Sequence, residues 1–150
     1  MRLDLHLHTT ASDGAWEPAE VVHGARSGGL HAISITDHDT VAAVAAAQAA
    51  GVEAGVTVIP GCELSSTREG RELHILGYGV ALDDADLLAR GERARTRRRE
   101  RMAEMVDRLR GHGIEVEVEA VERIAGEGGM IGWPHLARAM VDVGAVSTVD

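Results

Sequence analysis

The sequence predicts an α/β fold whose sheet is built from successive strand–helix–strand units with parallel strands. Three observations predict it. The chain opens on a short strand in which apolar and ionisable side chains alternate, two further apolar strands follow at intervals that each hold one helix, and ionisable side chains stand where these strands end. Because such units gather their functional residues at the strand ends, we expect the chemistry at one rim of the sheet.

The first 78 residues contain all the predicted strands. In the first strand three leucines alternate with one aspartate and two histidines, so one face is apolar and the other ionisable. The first helix ends at a Gly-Gly pair, and Asp39 or Thr40 can cap the second, which is rich in alanine. The predicted strands cover residues 2–8, 32–35, 56–59 and 73–78, and the predicted helices cover residues 17–28 and 40–54.

The pattern changes near residue 82. One long charged helix is predicted over residues 84–110, with its apolar stripe between residues 102 and 109. A short alternating piece over residues 114–118 and a glycine-rich turn then precede a last helix over residues 134–143, which has proline in its first turn. We therefore predict two parts, residues 1–82 with the candidate site and residues 83–150 as a helical subdomain.

The long helix carries a run of arginines. Residues 90–101 contain seven arginines and two glutamates, a local charge of +5 in a chain whose net charge is −9. Contact with nucleic acid is one interpretation of such a run. No aromatic side chain interleaves with it, and helix faces this charged are usually solvated, so we favour a solvated face.

Composition excludes several classes of protein. The acidic balance argues against attraction of the whole chain to nucleic acid or anionic lipid, and the complete absence of lysine excludes Schiff-base and P-loop lysine chemistry. Cys62 is the single cysteine, so a metal site must use imidazole and carboxylate ligands. No apolar run approaches the ~20 residues of a membrane span, and the first residues do not form a signal peptide, so we expect a cytoplasmic protein without membrane contact.

Six side chains with nitrogen or oxygen donor atoms lie at the ends of successive strands or in the loops that follow. Taken singly, each has a structural explanation, such as a half-exposed strand for an HxH pair or an Asx-turn for an aspartate that precedes glycine. Taken together, four imidazoles and two carboxylates exceed what one tetrahedral ion requires, which predicts a multinuclear metal centre. The six are His6, His8, Asp13, His38, Glu63 and His74.

Such a centre favours hydrolysis of a phosphate ester by a metal-activated water, because two adjacent cations can activate water and stabilise both oxygens of a phosphoryl transfer. We expect Asp37 or Asp39 to orient the ligands in this catalysis. Two other hypotheses remain. One is a metal-dependent amidohydrolase, against which the absence of a lysine for carboxylation counts, and the other is a non-catalytic binding module that holds one ion or none.

Four motifs, HLHTTASDG, ITDHDT, GCELS and ELHILGYG, resemble in this order those of the polymerase and histidinol phosphatase (PHP) family of metal-dependent phosphoesterases. The branch that they resemble includes nucleoside 3',5'-bisphosphate phosphatases and 5'-to-3' exoribonucleases. The resemblance implies that the six donors are ligands of up to three ions (manganese, zinc, iron or magnesium) and that the substrate is a small phosphorylated molecule, a nucleotide or short oligonucleotide. It also implies a distorted (β/α)7 barrel with a helical insertion.

The departures from the family pattern matter as much. Members of this branch are close to twice as long, and their later strands supply further ligands, so we expect only the first strands of the barrel here, weak or absent activity, and self-association through the open barrel edge. Trp133 stands where the family usually has an arginine suited to phosphate. His135 and Arg138 are the candidates to bind the substrate in its place.

Overall fold

The computed structural model of the chain describes residues 1–126 and 128–149. It shows an α/β arrangement in which a curled four-stranded sheet, with two helices between its strands, is followed by three more helices. The elements are β1 (Leu3–Leu7), α1 (Pro18–Ser27), β2 (Ala32–Ile35), α2 (Val44–Ala54), β3 (Thr57–Arg68), β4 (Arg71–Tyr78), α3 (Ala85–Gly111), α4 (Val118–Ala125) and α5 (Trp133–Asp142).

The sheet has the strand order β1-β2-β3-β4. The pairs β1–β2 and β2–β3 are parallel, as the alternation of strands and helices predicts, and β3–β4 is antiparallel. Four strands curl into half of a barrel, which leaves β1 and β4 as its two edges. The predicted α/β class with the first strands of a barrel is therefore confirmed.

Strand β3 is much longer than the sequence predicts. Its first residues pair with β2, and from Gly61 onward it pairs with β4 instead. A Cβ added at Gly61 would lie 2.8 Å from the Ile35 carbonyl oxygen, so only glycine lets the two strands come this close. The hairpin turns at Glu69 and Gly70, both with positive φ, as in a type I′ turn. Glu63 consequently lies inside a strand rather than just beyond its end.

Two helix predictions need correction. Helix α2 begins at Val44 with no side-chain cap, so neither Asp39 nor Thr40 caps it as predicted. Thr40 instead accepts a hydrogen bond from the Ala42 backbone, and Asp39, at φ +54°, is directed elsewhere. Helix α4 was not predicted, because the short alternation that ends at Val118 conceals the i, i+3, i+7 spacing of a helix face.

Two hydrophobic clusters stabilise the chain. One lies between the sheet and helices α1 and α2, around Val22, Ile33 and Val44, and the other joins α3, α4 and α5 around Met102 and Val121. Burying an aliphatic side chain of this size contributes about 1.5–3 kcal/mol. The Met130 N–H donates to the Ala11 carbonyl oxygen at 3.1 Å and Gly132 lies beside Asp13, which brings the start of α5 to the loop that follows β1 at the rim of the sheet.

Among the described residues, no helix has both the length and the apolar character needed to cross a lipid bilayer. The longest helix, α3, has 27 residues, and its arginine-rich sequence is far too polar for that environment.

Candidate metal centre

The structure brings all six predicted ligands together at the rim of the curled sheet. Their donor atoms form three overlapping groups, within each of which all donors lie within 4.8 Å of one another. His8, His38 and Glu63 each belong to two groups, so the three groups form one continuous cluster. The groups are His6–His8–Glu63, His8–Asp13–His38 and His38–Glu63–His74.

Glu63 lies at the centre of this cluster. Its Oε2 is 3.0 Å from His6 Nε2 and 3.1 Å from His8 Nε2, while its Oε1 is 2.7 Å from His74 Nδ1. The side chain is only 5% exposed. Burial by itself raises the pKa of a carboxylic acid, but the hydrogen bond from His6 and the charge of His38 outweigh it and lower the pKa of Glu63. The carboxylate is therefore ionised and able to bind a cation at neutral pH.

Asp13 extends the cluster to the loop after β1. Its two carboxylate oxygens lie 3.4 Å from His8 Nδ1 and 3.5 Å from His38 Nε2. Burial opposes ionisation, yet the interactions with His38 and His8 lower the pKa of Asp13 to about 2. The same pairing raises the pKa of His38 despite its burial, whereas burial and the neighbouring His38 lower the pKa of His8. A cation is thus favoured among these three side chains.

The backbone explains why side chains so distant in sequence meet. The segment after β2 continues alongside β3, where the Glu63 N–H donates to the Asp37 carbonyl oxygen at 3.1 Å and the Asp39 N–H donates to the Glu63 carbonyl oxygen at 2.8 Å. In the β3–β4 hairpin, His74 pairs with Ser65, two residues from Glu63. This diagonal placement on one face of an antiparallel pair brings the His74 ring to the Glu63 carboxylate.

The donor set fits divalent metal ions. Nε2 of His6 and Nε2 of His8 face each other at 3.0 Å beside the Glu63 carboxylate, an arrangement of acceptors that needs a proton or a cation between them. Nδ1 of His38 is buried and has no hydrogen-bond partner among the described residues. Imidazole nitrogens together with carboxylate oxygens are the ligands that zinc, manganese and iron accept in proteins.

Asp37 does not belong to the donor cluster but supports it. Its carboxylate is 1% exposed and accepts hydrogen bonds from the Thr9 N–H and hydroxyl, both at 2.7 Å, and from the Ser12 hydroxyl at 2.6 Å. Burial is the largest influence and raises the pKa of Asp37 in spite of these hydrogen bonds. The carboxylate therefore holds the loop that carries His8 and Asp13.

Asp39 also points away from the donor atoms and connects the sheet to helix α3. Its Oδ1 accepts from the Ser65 N–H at 2.8 Å, and its Oδ2 accepts from the Arg98 Nη2 at 3.1 Å. Burial opposes ionisation, and the hydrogen bonds of Ser65 and the charge of Arg98 together lower the pKa of Asp39. The buried ion pair fixes the position of α3 beside the segment that carries His38.

The prediction of a solvated face for the arginine run is wrong for three of its members, Arg90, Arg95 and Arg98, which are half-buried and hydrogen-bond other segments. Arg95 donates to the Gly128 carbonyl oxygen. Arg98 bonds Asp39 and the Ser65 hydroxyl, and Arg90 donates to the Ser65 carbonyl oxygen at 2.6 Å. The sequence does contain a signal for a buried face. Arg90, Arg98 and Arg101 lie on the same helix face as the small buried Ala94, because they are three or four residues apart.

The two predicted substrate-binding residues lie at the start of α5. Gly132 lies beside Asp13, since an added Cβ would be 3.5 Å from the Asp13 Cβ, and its N–H donates to His135 Nδ1 at 3.0 Å. His135 is buried, and that burial lowers its pKa. Arg138 is exposed one turn later, and Trp133 is 60% exposed. The structure brings His135 close to the donor cluster and leaves Arg138 in solvent on the same helix.

Comparisons with known proteins agree with this geometry. Residues 4–114 match the PHP domain family. A 5'-3' exoribonuclease of Haemophilus influenzae is 35% identical over 146 residues, which cover 97% of this chain and 53% of that protein. A 3',5'-nucleoside bisphosphate phosphatase of Chromobacterium violaceum is 34% identical over 144 residues, which cover 96% of this chain and 50% of that protein.

A solved structure is similar to this chain in fold as well as in sequence. The crystal structure of a proposed metal-dependent phosphoesterase from Bifidobacterium adolescentis superposes with a TM-score of 0.91 and 32% sequence identity, over 99% of this chain and 52% of that chain. The chain therefore spans about half the length of the relatives that it matches, and its curled sheet corresponds to half of their barrel.

Proposed function

This chain belongs to the PHP domain family, and on that premise we propose that it provides the metal-binding half of a phosphoesterase that hydrolyses a phosphomonoester or a terminal nucleotide phosphodiester. The observation that carries the proposal is the cluster of three overlapping donor groups. We propose that its six side chains hold up to three divalent ions, with manganese, zinc, iron and magnesium as the candidates.

The choice of substrate follows from the relatives and from the chemistry of the cluster. One relative is named for an exoribonuclease activity and another for a nucleoside bisphosphate phosphatase activity, and both names imply phosphate esters of nucleotides. Divalent ions at such a centre supply Lewis acidity to a phosphoryl oxygen and lower the pKa of water. A nucleotide or a short oligonucleotide is therefore the substrate that we propose.

The side chains of the protein have distinct tasks in this proposal. Glu63 balances the charge of the ions at the centre of the cluster, since its two carboxylate oxygens contact three imidazoles. Asp37 and Asp39 act as positioning residues, one by fixing the loop of His8 and the other by fixing α3. In this proposal the buried His135 hydrogen-bonds a substrate oxygen, and the exposed Arg138 attracts the substrate's negative charge.

The test combines metal binding with phosphate release. We expect the purified chain to bind a divalent ion and, in the presence of Mn²⁺, to release phosphate from a nucleoside 3',5'-bisphosphate. The release should be slow, because the chain spans only about half of each relative. His8→Ala and Glu63→Ala should abolish both, while Glu53→Ala, on the exposed side of α2, should change neither. A folded chain that binds no metal under any condition would contradict the proposal.

A non-catalytic metal-binding module is the second candidate, and the share of the relatives that the chain covers favours it. In that case the chain binds metal and releases no phosphate. We also propose that the chain self-associates, because both edges of the half-barrel carry exposed apolar side chains, among them Leu3 on β1 and Leu73 and Ile75 on β4.

A further inference from the structure

A basic cleft with a volume of about 620 Å³ lies between the β3–β4 hairpin and helix α3. Its walls carry four guanidinium groups and two carboxylates, a local excess of two positive charges in a chain whose net charge is −9. An anion is therefore attracted to this cleft and repelled by most of the remaining surface. The charged residues of the cleft are Arg90, Arg97, Arg98, Arg101, Asp39 and Glu72.

Several of the guanidinium donors in this cleft are unused. Arg97 is exposed and makes no hydrogen bond or ion pair with the described residues. Arg101 makes a long ion pair of 3.7 Å with the half-exposed Glu72, which contributes little in solvent. Nε of Arg90 is buried without a partner among the described residues. The cleft thus presents cationic donors on a rigid helix whose position Arg98 fixes through Asp39.

The cleft shares a wall with the donor cluster. Glu72 lines the cleft, and its Oε1 lies 3.4 Å from His74 Nε2 and 3.7 Å from Arg101 Nη1. Asp39, which follows His38 in sequence, also lines the cleft. So does Ser65, which pairs with His74 across the hairpin. The cleft therefore adjoins the donor cluster, with Glu72 in contact with both His74 and Arg101.

We propose that this cleft binds a second phosphate group of the substrate, apart from the phosphate that is hydrolysed. That the other phosphate is hydrolysed at the donor cluster rests on the proposed function. Arginine is suited to the task, because its planar guanidinium donates paired hydrogen bonds to phosphate oxygens. The protein then prefers molecules that carry two phosphates, such as nucleoside bisphosphates or oligonucleotides, to molecules that carry one.

The first arm of the test measures binding without metal. Adenosine 3',5'-bisphosphate is titrated into the chain in EDTA by calorimetry, with Arg97→Gln as the variant and Arg93→Gln, an exposed arginine of the same helix outside the cleft, as the control. We expect Arg97→Gln to weaken binding about fivefold and to make the affinity less sensitive to salt, while Arg97→Lys retains that sensitivity. Absence of binding, or equal losses in Arg97→Gln and Arg93→Gln, overturns the proposal.

The second arm separates the cleft from the metal centre. In manganese, Arg97→Gln should raise KM for adenosine 3',5'-bisphosphate and leave KM for p-nitrophenyl phosphate, which has a single phosphate, unchanged. Phosphate release from both compounds with KM values insensitive to Arg97→Gln refutes the second-phosphate site and leaves the proposed function standing. If Arg97→Gln weakens binding in EDTA but the wild-type chain takes up no manganese when the ion is supplied, the proposed function is refuted and the anion-binding cleft stands.

Discussion

His8 Nε2 lies 3.1 Å from Glu63 Oε2, although strand β2 separates the strands that position these residues. In a flat sheet, two strands that are not neighbours lie about 10 Å apart, and the curl of this sheet brings their side chains closer together. The curl therefore favours the metal centre, and a cation shared between His8 and Glu63 should in turn stabilise the curled sheet. Metal affinity and fold stability are expected to change together.

Removal of the central negative charge should weaken metal binding. Glu63→Gln keeps the shape of the side chain but places a neutral amide between three imidazoles. We expect the affinity for zinc or manganese to fall at least about tenfold, which corresponds to about 1.4 kcal/mol. Calorimetric titration measures it, with the exposed Glu53→Gln as the matched control. Equal affinities of the two variants would show that Glu63 does not hold the ion.

The buried carboxylate of Asp37 should contribute strongly to stability. Asp37→Ala leaves the Thr9 N–H and two hydroxyl groups without their acceptor, and we expect a loss of about 2–4 kcal/mol in the free energy of unfolding. Asp37→Asn should lose less, because the Thr9 hydroxyl can turn and accept from the amide. Urea denaturation measures both, against the exposed Asp83→Ala. If Asp37→Ala is as stable as Asp83→Ala, the carboxylate does not hold this loop.

Helix α3 should tolerate alanine at its end but not near its start. A Cβ at Gly91 would lie 2.7 Å from the Asp39 carbonyl oxygen, whereas a Cβ at Gly111 meets nothing within 4 Å. Alanine favours a helix by about 1 kcal/mol over glycine, but the clash should make Gly91→Ala destabilising by about 1–3 kcal/mol. Gly111→Ala should be neutral or stabilising. Thermal unfolding of the pair checks this, and equal stabilities would mean that α3 does not lie this close to Asp39.

The open edge of the half-barrel should make the chain self-associate. Ile75 and Leu73 on β4 are 53% and 43% exposed, and adjacent exposed apolar side chains on an edge strand favour pairing with another chain. We expect Ile75→Glu to shift the protein toward the monomer in sedimentation velocity, without loss of metal binding. Val52→Glu, on helix α2, changes an equally apolar but isolated side chain and should leave the distribution of species unchanged. A wild-type chain that is monomeric at all concentrations would rule out this edge as an interface.

The sequence predicts the parallel part of the sheet well, because it depends on local patterns. The strand over residues 32–35 matches β2, and the strict alternation from Leu3 to Leu7 gives both β1 and the face on which His6 stands. The order of donors at successive strand ends correctly predicts that they converge. Whether they bind metal as predicted stays a prediction.

The rest depends on contacts between distant segments, which local patterns do not contain. The exchange of partners along β3 at Gly61 depends on how closely Ile35 approaches it, and no property of residues 57–68 alone indicates this. The ion pair of Arg98 with Asp39 spans 59 residues, so its partner could not be identified from the arginine run. The helix cap that the sequence predicts for Asp39 is the nearest local role available to it, and this prediction is wrong.

The most direct test of the account is the metal content of the folded chain. After dialysis against zinc or manganese and removal of the excess, elemental analysis should find at least one ion per chain, and metal should raise the unfolding temperature by a shift that EDTA reverses. The double variant His8→Ala/Glu63→Gln, which alters all three donor groups, should retain no ion while its circular dichroism spectrum remains that of a folded chain. A wild-type chain that is folded, free of metal and unaffected by EDTA would contradict the central claim.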